Sequence, residues 1–278
     1  MPATQIKQRI VSLAPSATSI LVALGARKLL VGVSKWCADV APEVAELPRV
    51  GDCWSLEPES VVSLKPTLVI GSVPYKQETV AKLLEHPFTF LATNPRSLAD
   101  VESDIHLLGA IAGRAAVARK LVAKMRAEFA GIRKQAARPL RAAKGKRPRV
   151  YCEAWPHPRI VSPPWVAELV EIAGGTMVVP AGKRVSDEQV AEAKPDVIIL
   201  AWAATGGKSD AQQALEVAAW RDVPAIRNQR VFAVRDELLN TPGPPLVEGA
   251  RELLRLIHPQ QQSASGGKSV RARNRKLL

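Results

Sequence analysis

At 278 residues the chain can form one large domain or two small ones around a substantial core. Its 47% hydrophobic and 23% charged residues are ordinary for a globular protein and exclude a chain disordered throughout. The net charge of +13 raises nucleic-acid binding, but its placement argues against it. Thirteen Lys and Arg stand between Arg114 and Arg149 against the single acid Glu128, and Lys268, Arg271, Arg273, Arg275 and Lys276 follow near the end with no acid. The basicity therefore belongs to one segment and a tail, and the rest of the chain is mildly acidic. The basic run lacks the interleaved aromatic platform of a single-strand binder, so no nucleic-acid partner is expected.

The three cysteines, Cys37, Cys53 and Cys152, form no Cys-x-x-Cys pair and no disulfide framework. Cys37 and Cys53 each adjoin a tryptophan, which leaves one bridge between them open. The opening MPATQIKQ is too short and polar for a signal peptide, and no apolar run is long enough for a transmembrane segment. As written, the sequence reads as cytoplasmic.

In chain order, Ile10 to Leu13 reads as a buried strand. Pro15 opens a helix that Gly25 ends, with Ser16 or Thr18 expected as its cap. Strands follow at Leu30–Ser34, near Val50, at Leu68–Gly71 and at Phe88–Ala92, with a helix over Gln77–Leu84. Leu98, Val101, Ile105, Leu108 and Ala112 recur at helical spacing up to Gly113. A longer helix is expected from Arg114 to about Ala137, with Val117, Leu121, Met125, Phe129 and Ile132 on one stripe. Arg138 to Pro148 reads as a basic linker. Strands at Val150–Glu153, Val197–Leu200 and Val231–Val234 then alternate with helices over Trp165–Ile172, Val185–Ala193 and Pro245–Ile257. Beyond Pro259 a Gln/Ser/Gly/Lys/Arg tail reads as disordered.

This alternation gives an α/β fold: two Rossmann-like lobes with mostly parallel sheets, joined by one long rigid helix, with a ligand cleft between the lobes. The expected boundaries are 1–112 for the first lobe, 113–148 for the connecting helix and linker, 149–258 for the second lobe and 259–278 for the tail. A repeat supports the duplication. Glu59-Ser-Val-Val-Ser-Leu-Lys65-Pro66-Thr-Leu-Val-Ile70 matches Glu188-Gln-Val-Ala-Glu-Ala-Lys194-Pro195-Asp-Val-Ile-Ile199 at a constant offset. Each copy is a short helix with an acid in its first turn, a Lys-Pro stop and a buried strand. Local physics explains either unit alone, whereas recurrence on both sides of the long helix points to paired lobes.

Over roughly residues 9 to 258, this pattern resembles the helical-backbone substrate-binding proteins of ABC importers for vitamin B12 and iron-siderophores. The resemblance is carried by Arg9-Ile-Val-Ser-Leu-Ala-Pro-Ser-Ala-Thr, Leu29-Leu-Val-Gly-Val-Ser, Leu108-Gly-Ala-Ile-Ala-Gly-Arg and the two repeated units. It implies a monomer that docks onto an ABC permease dimer through Glu59 and Glu188, a periplasmic location, and only small closure on binding. It favours a corrinoid such as cobalamin as the bound ligand, with no intrinsic cofactor. A ferric siderophore or haem is the alternative within the same fold. A cytoplasmic corrinoid carrier or sensor, without a transporter, is the alternative outside it.

Open α/β sheets bind ligands beyond the carboxyl ends of their strands. Trp36, Trp54, Tyr75, Trp155 and Trp202 all follow expected strands, and flat apolar ligands need such walls. Trp165 and Trp220 lie on or beside helices and read as packing residues. Ser16 at a helix start and Arg184 complete the candidate binding set. The loop Asn240-Thr-Pro-Gly-Pro-Pro245 has Thr241 and Pro245 where the resembled family carries arginines, which weakens an anionic ligand. The histidines His86, His106, His157 and His258 are scattered, so no metal site is expected. Neither a phosphate loop nor a Gly-x-Ser-x-Gly elbow occurs, so no catalytic residues and no enzyme activity are expected.

Overall fold

The computed structural model describes residues 8–51, 56–73, 76–203 and 209–259. The first lobe runs β1 (Ile10–Ser12), α1 (Pro15–Ala23), β2 (Leu30–Val33), α2 (Cys37–Val40), α3 (Pro58–Val62), β3 (Leu68–Ser72), α4 (Gln77–Leu84), β4 (Thr89–Thr93) and α5 (Leu98–Ile111). Its four strands are parallel in the order β2-β1-β3-β4. The strand expected near Val50 is reduced to a single bridge between Val33 and Arg49. The long helix α6 spans Ala115–Ala142. The second lobe runs β5 (Arg149–Pro156), β6 (Arg159–Val161), α7 (Pro164–Ile172), β7 (Thr176–Met177), α8 (Asp187–Glu192), β8 (Val197–Leu200), α9 (Ala211–Leu215), α10 (Pro224–Arg227), β9 (Val231–Ala233), α11 (Glu237–Asn240) and α12 (Leu246–Ile257). Its sheet follows β6-β5-β8-β9, with β7 parallel to the start of β5 and β6 antiparallel to its end.

Two helices differ instructively from expectation. The cap of α1 is neither Ser16 nor Thr18, because Pro15 takes the first helical position and leaves the cap to Ala14, which makes no side-chain bond. The residues expected to form a linker from Arg138 instead begin as helix, since α6 continues through Pro139 to Ala142. At 28 residues it is roughly 42 Å long at about 1.5 Å per residue.

The buried stripe of α6 is Ala118, Val122, Met125, Phe129, Ile132 and Ala136. In its first half this stripe sits one position beyond the expected Val117 and Leu121; Val117 is exposed. Small residues explain the rotation. A Cβ on Gly109 would lie 2.4 Å from the Ala118 Cβ, so α5 and α6 approach at a contact only Gly and Ala can make. The same stripe belongs to one continuous core that takes Ile10, Ile105 and Leu108 from the first lobe and Val150, Leu169 and Leu253 from the second. The long helix therefore joins the lobes by packing as well as by chain connectivity.

The repeated unit is also a repeat in conformation. The turns after α3 and α8 both close on a lysine with positive φ, Lys65 at 47° and Lys194 at 40°, immediately before proline and a central strand. Glu59 and Glu188 are exposed in the first turns of these helices. Ser186 caps α8 in a reciprocal box with Gln189. A hydrogen bond to the Ser186 side chain, with the backbone of its own helix start, holds the Glu188 carboxylate below its ordinary range.

Candidate functional site

All four strands of the first sheet are parallel, as are β5, β7, β8 and β9 of the second, so each lobe presents its strand ends on one side. Trp36 follows β2 at the start of α2 and is half-buried. The Lys35 ammonium lies over the Trp36 ring, 4.9 Å from its centroid, a cation–π contact on one face of the indole. Trp155 is the last but one residue of β5, not a loop residue, and it is 39% exposed. Its indole N–H donates to the His157 carbonyl at 3.0 Å, which holds the ring in place while leaving apolar surface open.

Arg184 joins Trp155 through the sheet. Trp155 pairs with Ile160 of β6, and Ile160 bridges Arg184, so the three sit side by side across neighbouring backbone segments. Residues directly opposite in a sheet share a face, which puts the exposed indole and guanidinium on the same side of this edge. Arg184 also lines a shallow cavity of about 530 Å³ with Val178, Pro180, Lys183, Gln189 and Glu192. Trp54 and Tyr75 lie outside the described residues.

Two expected site residues turn inward. Trp202 is 5% exposed, and its indole N–H donates to Glu153 at 2.9 Å while its backbone N–H donates to Ser209 Oγ at 2.9 Å. It is a core residue under the strand ends and not an open wall. Ser16 is 6% exposed and lies at the seam between the lobes, where Gly243 packs against Ser16 and Ser19 on α1. Its carbonyl accepts from Ser19 Oγ at 2.8 Å. The Thr18 hydroxyl is likewise internal, 2.9 Å from Ser12 Oγ and 3.0 Å from Cys37 Sγ. Cys37 is a buried free thiol whose ionisation burial pushes up; Cys53 falls outside the described residues.

What the sequence reading missed is the polar cluster beneath Trp202. Glu153 is fully buried and accepts from the Tyr151 hydroxyl at 2.6 Å, from Arg159 Nη1 at 2.9 Å and from the Trp202 indole. Arg159 also pairs with Asp187 and stacks 4.2 Å over the Trp220 ring. Trp220 is fully buried and its N–H donates to the Asp187 carbonyl at 3.0 Å, while Trp165 donates to Leu239 at 2.8 Å, so both are packing residues. A charge inside an apolar strand, Glu153 after Val150-Tyr151-Cys152, was the available signal, since buried carboxylates require partners. The cluster is closed on itself and all its groups are paired, which fits a structural role.

Among the described residues no three His, Cys, Asp or Glu side chains gather to hold a metal ion, and no helix is long and apolar enough to cross a membrane. Two parallel α/β lobes backed by one helix, with aromatic residues at the strand ends, define a substrate-binding protein of the helical-backbone class.

The chain belongs to the periplasmic binding protein family, whose model matches residues 10–238. It is 29% identical over 263 residues to an uncharacterized ABC transporter substrate-binding lipoprotein, YvrC, of Bacillus subtilis, covering 91% of this chain and 80% of the relative. It is 28% identical over 258 residues to the vitamin B12-binding protein of Vibrio cholerae, covering 88% and 87%. Among solved structures, the periplasmic heme-binding protein RhuT from Roseiflexus sp. RS-1 superposes with a TM-score of 0.78 at 27% identity, covering 92% of this chain and 99% of that one.

Proposed function

We propose that this protein captures a corrinoid, a vitamin B12-like ligand, in the cleft between its lobes and delivers it to an ABC importer. The observation that carries the reading is Trp155, a tryptophan 39% exposed yet held by its own N–H at a strand end. An exposed indole on an ordered edge is a flat apolar wall, which suits a planar macrocycle. Trp36 supplies a second aromatic at the strand ends of the other lobe, and Trp54 and Tyr75, outside the described residues, remain candidate ligand contacts by sequence. Arg184 is positioned beside Trp155 to meet a polar substituent of the ligand. Trp202 and Ser16 act behind this surface and do not contact ligand. The chain has only two tyrosines, and Thr241 and Pro245 offer no cation, so an oxygen-rich anionic ligand finds few partners. The Vibrio cholerae relative, named for vitamin B12, supports the choice.

Haem is the second reading, favoured by the RhuT likeness. Titration of tryptophan fluorescence with cyanocobalamin, haem and ferrichrome separates the two, with absorbance of the ligand corrected. Saturable quenching by cyanocobalamin at micromolar concentration, weakened at least tenfold in Trp155→Ala, is expected. Binding of haem alone would refute the corrinoid assignment and leave the fold's role intact. Delivery is proposed to use Glu59 and Glu188 as acids that pair with cations on the permease. Charge reversal of both should abolish docking without changing ligand affinity.

A further inference from the structure

α3 and α8, which carry Glu59 and Glu188, have five and six residues. Helices this short are not stable on their own, because nucleation costs more than so few hydrogen bonds return. Contacts outside each helix must set its direction. α8 is held at its amino end by Arg159 and Trp220 on Asp187. What the two lobes share is an arginine beside the start of the first strand that grips the turn after the helix. Arg9 Nη2 donates to the Leu64 carbonyl at 2.7 Å and its Nε to Lys65 at 3.0 Å. Arg149 Nη2 donates to Ala193 at 2.7 Å and its Nε to Lys194 at 3.3 Å. Leu64-Lys65 and Ala193-Lys194 are the same two positions of the repeated unit, in the turn that follows the carboxyl end of each helix.

The backbone of each arginine is locked in the same way. Arg9 N–H donates to Thr67 Oγ1 at 3.0 Å while Thr67 N–H donates to the Arg9 carbonyl at 2.9 Å. Arg149 N–H donates to Asp196 Oδ2 at 2.8 Å while Asp196 N–H donates to the Arg149 carbonyl at 2.7 Å. Thr67 and Asp196 are again equivalent positions, each just after the proline. A planar guanidinium is suited to collecting two adjacent carbonyls, and a cation at a helix carboxyl end meets the favourable pole of its dipole.

We infer that Arg9 and Arg149 are matched positioning residues of the docking surface: each clamps the acid-bearing helix of its lobe onto the first strand of that lobe. The clamp presets the direction in which Glu59 and Glu188 point, so the footprint offered to the permease is built before contact. This inference rests on the docking role proposed for the two acids.

The test is a double-mutant cycle on docking. Binding of the full-length protein to the source organism's permease–ATPase complex in lipid nanodiscs is measured for E59K, E188K, R149A, R149K and R9A, and for R149A and R9A each combined with E59K and with E188K. Thermal unfolding and the cyanocobalamin and haem titrations serve as controls on the same proteins. R149A is expected to weaken docking by about tenfold, within the range of coupled neighbouring sites, while ligand affinity stays within about twofold. In the E188K background the same substitution should have no further effect, whereas combined with E59K it should add in full. R149K, which restores one donor, should recover part of the loss, and R9A should couple to E59K alone. If E59K and E188K dock normally, the role of the acids is refuted and the clamp falls with it. If they fail to dock while R149A docks like the parent, or R149A adds equally to E59K and E188K, the clamp alone is refuted.

Discussion

Replacing Glu153 by alanine removes the centre of the buried cluster and tests how much stability it holds. The carboxylate lies at zero exposure and accepts from Tyr151, Arg159 and Trp202. Its loss strands a hydroxyl, an indole N–H and half of a guanidinium that is itself only 9% exposed. Each stranded donor costs about 1–3 kcal/mol, but water entering the vacated space would satisfy some of them. Breaking one side of a buried ion pair costs about 3–5 kcal/mol in total. Arg159 keeps Asp187 and the Trp220 ring, so the middle of that range, about 4 kcal/mol, is expected. For a chain of this size that corresponds to a fall of roughly 8–16 °C in Tm. Urea unfolding followed by circular dichroism and by tryptophan emission measures it, with Glu153→Gln as the companion. The amide keeps an acceptor for the indole and fills the space, but its NH2 replaces the oxygen that accepts from Tyr151 and faces the Arg159 donor, so it should still destabilise, by less than alanine. A Glu153→Ala protein within about 1 kcal/mol of the parent would refute the account, because that lies well below the cost of breaking a buried pair.

Asp104, half-buried on α5, has its carboxyl pushed from 3.8 to about 6 by burial and by the nearby Asp100 charge. A carboxyl raised on folding favours the protonated form, so stability falls as pH rises from about 4 to about 6 and stays low above. Because the group is partly solvated the effect is discounted to about 1 kcal/mol, and Asp104→Asn should gain that much at pH 7 and nothing near pH 3.5, read from thermal melts. Gly249 of α12 faces Leu238 so closely that a Cβ would lie 2.0 Å from its backbone oxygen. Gly249→Ala should therefore cost about 3 kcal/mol in urea unfolding, and a neutral result would contradict the packing of α11 on α12. Saturating ligand should leave the radius of gyration from solution scattering unchanged to within about 1 Å; a larger change would contradict a core shared across α6.

The strongly periodic parts were legible. Val197–Leu200, four β-branched or leucine residues, and Gln77–Leu84 have the expected bounds because local pattern and tertiary role agree in them. The β5–β6 hairpin was not, since Trp155-Pro156-His157-Pro158 reads as a loop when proline is taken to end a strand. That reading also misplaced Trp155, which stands within the strand. The fate of Trp202 was hidden for another reason: its position after a strand was correct, but the acceptor that draws it inward, Glu153, is 49 residues away. The repeated lysine-proline stop was visible at a single offset, whereas the arginine that serves it was not. Arg9 and Arg149 are separated by a different interval from the helices they clamp, because the first lobe inserts more chain between its opening strand and its acid-bearing helix. Spacing reveals duplication only within segments that have kept their length.

These features converge on preorganisation. Lobes that share a core with α6 cannot swing apart without opening packed contacts among residues such as Phe129, Ile132 and Leu169. The seams at Leu98 N–H on Glu168, at 2.9 Å, and at Gly243 on α1 add polar and steric registration between them. In a protein built this way the binding surface is expected to exist before the ligand arrives, which the scattering measurement checks. The hydrogen bond that holds the Trp155 ring and the arginines that grip the turns after α3 and α8 then answer the same need at the two proposed recognition surfaces, because a group oriented in advance loses less freedom when its partner arrives.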